Sequence, residues 1–194
     1  MNIQMSRLNN ARLYHDREQW HAATLSLERV FSNHRNEMSV LVEYAHELEE
    51  RIHAVTSFIQ GNTASVCPAC PKVCCINVHG YYDSNDLIYI YALGLRSPAY
   101  EEGLEDTAQC RYLSGSGCTL ERSVRPFRCN WYFCLSLTQH MEDGPARDYR
   151  QFVNRLQGVV EQRRLMLDEF SLRVNLLVPQ EKGLASLYTN IVKS

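Results

Sequence analysis

Eight cysteines lie between Cys67 and Cys134, a stretch of 68 residues, and none lies in the 66 residues before it or the 60 after it. They are Cys67, Cys70, Cys74, Cys75, Cys110, Cys118, Cys129 and Cys134. Thiols so confined form one constellation, and thiolates are soft ligands, suited to zinc and to iron–sulfur clusters rather than to magnesium or calcium. A zinc ribbon brings together two C-x2-C knuckles about 15 to 20 residues apart. Here only Cys67 and Cys70 form such a pair, and the later gaps of three, none, 34, seven, ten and four residues are irregular. Irregular spacing after a leading C-x2-C suits a cluster at least as well as a zinc knuckle, because clusters are held by scattered sets of four cysteines. Adjacent side chains diverge, so either one of Cys74 and Cys75 is spare or each serves a different metal. The eight thiolates are a ligand pool for two four-cysteine sites, or for one site with several non-ligands.

The rest of the composition narrows the setting. A chain of 194 residues with 45% hydrophobic residues can bury a core without help from disulfides. Net charge is −2 and Lys and Arg are dispersed, so the footprint of a phosphate-backbone binder is missing and no nucleic-acid partner is expected. Residues Met1 to Trp20 are polar and no run approaches the roughly 18 to 20 apolar residues of a membrane span, so a cytoplasmic protein with no membrane association is expected. In that reducing compartment clustered cysteines bind metal or do redox chemistry more often than they pair as disulfides.

Other residues are weighed against plainer roles. Four thiolates around zinc or a [4Fe–4S] cluster carry a net charge of about −2, which cations stabilise. Arg111, Arg122, Arg125 and Arg128 lie near the cysteines in sequence, although ordinary surface arginines read the same way. His79 stands four residues beyond Cys75 and can replace a cysteine as ligand, while His15, His21, His34, His46, His53 and His140 are too dispersed to form a site. Asp83 and Asp86 suit a helix cap better than a metal.

The scaffold reads as mainly α: amphipathic helices packed around a cysteine-rich, loop-dominated metal site with one small β-hairpin. A helix is expected over Ser6–Asn33 with Leu13, Trp20, Leu27 and Phe31 on one face, broken near Ser32-Asn33-His34. Met38, Leu41, Ala45, Leu48, Ile52, Val55 and Ile59 alternate spacings of three and four, which predicts a helix ending near Gly61. That stripe packs either on the rest of the chain or against a second copy, a homodimer through the residue 38–59 helix. Asn62 to Ser65 reads as a polar linker, Pro68 and Pro71 forbid a regular helix over 67–71, and Ile76–His79 as extended. Asp83 or Ser84 caps a helix ended by Gly94, Cys110–Leu120 reads as a hairpin with a cysteine on each arm, and Glu101–Asp106 as a solvated loop. A helix is expected over 145–170, then a strand through Val174, Leu176 and Val178, then a helix through Leu184, Leu187, Tyr188 and Ile191. The organisation follows as a helical hairpin over 1–61, a cysteine-rich core over 62–140 and a helical segment over 141–194, within one domain.

The order C-x2-C-x3-C-C, then Cys110, then Gly117-Cys118-Thr119-Leu120 and Arg125-Pro126-Phe127-Arg128-Cys129, resembles the bacterial CxxCxxCC family, described as a zinc- or iron-chelating domain. A related cysteine pattern occurs in flagellin lysine-N-methylases, where it is associated with an iron–sulfur cluster. The likeness covers residues 67 to 134 and implies metal binding by the eight cysteines, Cys134 lying past the Arg-Pro-x-x-Cys signature.

The function expected is therefore non-catalytic binding of an iron–sulfur cluster, of the [4Fe–4S] type first, or of iron, in electron transfer, sensing or cluster handling with an unknown protein partner. The first alternative is a structural zinc module. The second is a group-transfer enzyme or accessory protein related to the methylases, for which no G-x-G-x-x-G loop follows a convincing strand. A thioredoxin-like role for Cys67-Pro68-Ala69-Cys70 lacks the strand before and the helix after that such a motif needs.

Overall fold

In the computed structural model, residues 16–70, 74–77, 80–100, 102–103, 109–115 and 117–177 are described. Helix α1, Arg17–Asn33, starts where Asp16 accepts a hydrogen bond from the Gln19 amide, and ends at His34, within the break expected. The part of that expectation before Asp16, including Leu13, lies outside the described residues. Helix α2 spans Ser39–Val66, and Met38 together with its six expected stripe residues is 0–1% exposed within the single chain.

The expected linker at Asn62–Ser65 is instead the last turn of α2. Short polar side chains compete for backbone groups only when they have nothing better to bond. Here Asn62 donates to the Phe58 carbonyl at 2.8 Å, Thr63 to that of Gln60 at 3.1 Å and Ser65 to that of Gly61 at 3.1 Å, so they fold back onto the helix. The helix stops when Pro68 enters a 3-10 turn at Cys67–Ala69. Cys74–Asn77, expected in part as extended, forms a single helical turn, α3, while Val78 and His79 lie outside the described residues.

Helix α4, Ser84–Ala92, carries the expected cap in reciprocal form: the Asp86 amide donates to Asp83 at 2.7 Å and the Asp83 amide to Asp86 at 3.2 Å. Past Leu93, Gly94 turns the chain with φ of 71°. Strands β1, Leu113–Ser114, and β2, Gly117–Cys118, pair antiparallel with Leu113 opposite Cys118. The hairpin is shorter than expected, so Cys118 is on an arm but Cys110 lies before the other. A 3-10 turn at Arg122–Val124 leads to the short α5, Arg128–Trp131, and to α6, Leu135–Asp143.

The last described helix, α7, runs over Ala146–Leu177 and overturns the strand expected at Val174 and Leu176. Phe152, Val159, Met166, Phe170, Val174 and Leu177 are buried at helical spacing, whereas Leu176 is 58% exposed. The apparent alternation was two faces of one helix. Val178 and the expected terminal helix lie outside the described residues.

Two compact units divide these elements. One holds α1, α4, the first residues of α2 and the last turns of α7, where Phe31 stacks on both Tyr91 and Phe170 at 6.2 and 6.4 Å. The other holds the remainder of α2 and α7, α3, the hairpin, α5 and α6. Within this second unit α2 and α7 run antiparallel. Gln162 donates to the Tyr44 carbonyl, Arg155 to that of Ala54, both at 3.3 Å, and Phe58 stacks on Phe152 at 4.5 Å. A Cβ on Gly158 would meet the Arg51 guanidinium at 3.0 Å, so the glycine is what lets that side chain cross the α7 backbone. No described helix is long and apolar enough to cross a membrane.

Candidate metal centre

The cysteines reach one place by four routes, all within the second unit. The C-x2-C pair sits in the 3-10 turn that ends α2, closed by the Cys70 amide on the Cys67 carbonyl at 3.2 Å. Cys70 leaves the turn with extended backbone, so its side chain is not bound to follow that of Cys67. Cys74 and Cys75 open α3. Cys110 is tied to them by its amide, which donates to the Cys75 carbonyl at 2.7 Å, and the hairpin that follows carries Cys118. Cys129 lies in α5 and Cys134 precedes the first turn of α6.

These routes meet around a cavity of about 170 Å³, and seven of the eight cysteines line it: Cys67, Cys74, Cys75, Cys110, Cys118, Cys129 and Cys134. Cys70 stands outside the lining. All eight are free thiols; Cys110 is buried and Cys75 exposed at the residue level. Gly80 supplies part of the wall, since a Cβ there would meet the Cys129 sulfur at 3.2 Å and the Cys110 sulfur at 3.8 Å. Among the described residues no group of three or more His, Cys, Asp or Glu side chains is drawn together closely enough to hold a metal ion as it stands.

Burial raises the thiols of Cys67, Cys74, Cys75 and Cys129. The Cys129 thiol is pushed up to about 12, first by burial and then by the charge that Cys110, Cys75 and Cys118 would carry, with Arg125 opposing. Cys74 is pushed up to about 11 by burial, by the charge of Cys134 and by a hydrogen bond shared with it. Burial also raises Cys67, with Cys134 and Cys70 as its charged neighbours, and Cys75, with Cys110 and Cys118 foremost among its own. This is the reverse of a redox-active C-x-x-C, whose leading thiol is depressed, and the pair follows a helix rather than a strand.

Two arginines stand in the same wall. Arg122 is 5% exposed and lines the cavity; its Nη1 donates to the Cys129 carbonyl at 3.1 Å, while its buried Nε has no hydrogen-bond partner. Burial and then Arg125 pull its pKa down to about 10, with Cys129, Cys118 and Cys75 opposing, so it keeps its charge at neutral pH. Arg125 donates to the Leu120 carbonyl at 2.9 Å. Neither has a carboxylate partner among the described residues. A buried cation without an acid beside it calls for negative charge, and metal-bound thiolates would supply it.

Two other residues near the cysteines play lesser parts. Arg128, also in the lining, is exposed and lies over the Tyr132 ring at 5.0 Å, and Arg111 lies over Tyr112 at 4.8 Å. Next to Cys129, Asn130 is fully buried with both atoms of its amide head unpaired, a place where a bound water belongs. The described histidines that form ion pairs do so with Glu37, Glu49 and Glu121 rather than with one another, and Asp83 and Asp86 serve as the helix cap. His79 lies outside the described residues. Comparison of the chain with protein-family models, with curated proteins and with solved structures finds no match.

Proposed function

We propose that this protein binds iron, most simply as a [4Fe–4S] cluster, through its clustered cysteine thiolates, and that its role is non-catalytic: electron transfer, sensing or cluster handling in a reducing compartment such as the cytoplasm. The observation that carries this reading is a cavity lined by seven cysteines and by a buried arginine that has no carboxylate partner among the described residues. The donor set is all sulfur, which fits iron–sulfur clusters and zinc and excludes the hard cations. When bound, a cluster would supply one-electron transfer at a potential set by charge, hydrogen bonds and solvent exposure. The chain's own contribution is to hold the thiolates, to offset their charge with Arg122 and Arg125, and to screen them with the apolar side chains of Ile59, Leu120, Phe133 and Leu137 in the cavity wall.

A second reading, structural zinc, is favoured by the way the cysteines tie the end of α2 to the hairpin, α5 and α6. Such a cross-link would couple folding to metal. Metal and acid-labile sulfide content, with a visible spectrum, on protein purified without oxygen separates the two. Iron and sulfide in comparable amounts with absorbance near roughly 400 nm is the expected result. Zinc alone, without sulfide or colour, would replace the first reading by the second.

A further inference from the structure

We infer that the eight cysteines form two adjoining four-thiolate metal sites, Cys67, Cys70, Cys74 and Cys134 making one and Cys75, Cys110, Cys118 and Cys129 the other. The inference rests on the metal-binding reading above and divides the pool between the neighbours Cys74 and Cys75. In an α-helical turn successive side chains leave the axis about 100° apart, so the two thiols at the start of α3 point to different places. One ion cannot easily collect both, whereas two ions can each take one.

The remaining cysteines sort themselves around this fork. On the Cys74 side, Cys134 is the foremost charged neighbour of Cys74, ahead of Cys75 and Cys67, and the charged neighbours of Cys67 are Cys134 and then Cys70. Cys67 and Cys70 are kept close in the chain by the turn that the Cys70 amide closes on the Cys67 carbonyl at 3.2 Å. On the Cys75 side, the Cys110 amide is held on the Cys75 carbonyl, and the sulfurs of Cys110 and Cys129 converge on the bare face of Gly80. Cys118 joins them from the hairpin: the charged neighbours of Cys129 are Cys110, Cys75 and Cys118, and those of Cys75 are Cys110 and Cys118 ahead of Cys67 across the fork.

The arginines give an independent indication. Arg122, nine-tenths buried with its Nε unpaired, faces Cys129, Cys118 and Cys75, and Arg125 faces Cys75 and Cys129. Both cations therefore stand beside one proposed site. A divalent ion held by four thiolates carries a charge of about −2, and such a site is stabilised where fixed cations offset it.

The test is an anaerobic titration of the full-length reduced chain with cobalt(II), read by thiolate-to-cobalt charge transfer and by native mass spectrometry. Two cobalt ions per wild-type chain are expected. C70S/C134S and C110S/C129S, each confined to one set, should each retain one ion, whereas C70S/C129S, one from each set, should retain none tightly. A wild-type endpoint of one ion would overturn the two-site division while leaving metal binding intact, and so would within-set and cross-set variants that behave alike. Uptake of no cobalt by the wild-type chain would instead remove the metal-binding reading itself. The wild-type count needs no variant, so it decides even where a variant fails to fold.

Discussion

Replacing Gly80 with alanine separates a metal-holding role for the cavity from a purely structural one. The position has no left-handed backbone, so alanine is not strained there, and loss of unfolded-state freedom would by itself stabilise the fold by about 0.4–1 kcal/mol. Against this, the new methyl meets the Cys129 sulfur at 3.2 Å, which forces the thiol to give by a few tenths of an ångström. In the metal-free protein a thiol can rotate aside, so stability should change by less than about 1 kcal/mol, or at most about 4 °C in Tm. A metal allows no such retreat: bond lengths are held within about 0.2 Å, and disturbing the groups around a ligand typically lowers affinity about 10- to 100-fold, or roughly 1.4–2.8 kcal/mol. The assay is competition for zinc against a colorimetric chelator, beside thermal melts of the metal-free protein. Unchanged zinc affinity together with a large loss of metal-free stability would refute the reasoning.

Phe152 tests how the metal centre depends on its scaffold. It is 4% exposed, stacked on Phe58 and edge-on to Phe133 at 5.8 Å. Its replacement by alanine should cost about 3–5 kcal/mol, lowering Tm by roughly 6–20 °C; urea denaturation that shows under 1 kcal/mol would mean that α2 and α7 are not held there. The response to pH follows from the thiols. In the folded, metal-free chain the Cys67, Cys74, Cys75 and Cys129 thiols are raised above the ordinary 9.0, to about 11 for Cys74 and about 12 for Cys129. The unfolded chain therefore loses its protons first as pH rises. The stability contributed is fully present below pH 9 and is lost through pH 11 to 12. Urea midpoints of the metal-free protein should fall between about pH 8 and pH 10, and those of the metal-loaded protein, whose ligand thiolates have already lost their protons, should fall much less. Equal losses in the two forms would show that the ligand thiols are not responsible.

Periodicity carried most of the scaffold. The stripe from Met38 to Ile59 gave both a helix and its buried face, and Asp83 with Gly94 bounded α4 closely, because capping and left-handed turns are local chemistry that residue type reveals. The failures have equally local causes. Asn62–Ser65 looked like a linker because nothing in the sequence tells whether polar side chains bond back to their own helix. Val174 and Leu176 mimicked a strand because three residues are too few to distinguish a period of two from 3.6. Helix α6 was not anticipated, since it starts after Cys134, which is no usual cap, and presents Leu135 to solvent. In the cysteine stretch the spacing pointed to one constellation, and seven of the eight thiols line one cavity. The spacing gave no sign that Arg122 rather than Arg111 is the buried cation, or that Asn130 is enclosed, because both depend on how loops distant in sequence fold over one another.

X-ray absorption at the metal edge of protein purified without oxygen reads the ligands directly. The account predicts a first shell of sulfur alone, about four atoms at roughly 2.3 Å. A shell dominated by nitrogen or oxygen, or a protein that carries no metal and whose eight thiols all react freely in the native state, would contradict it.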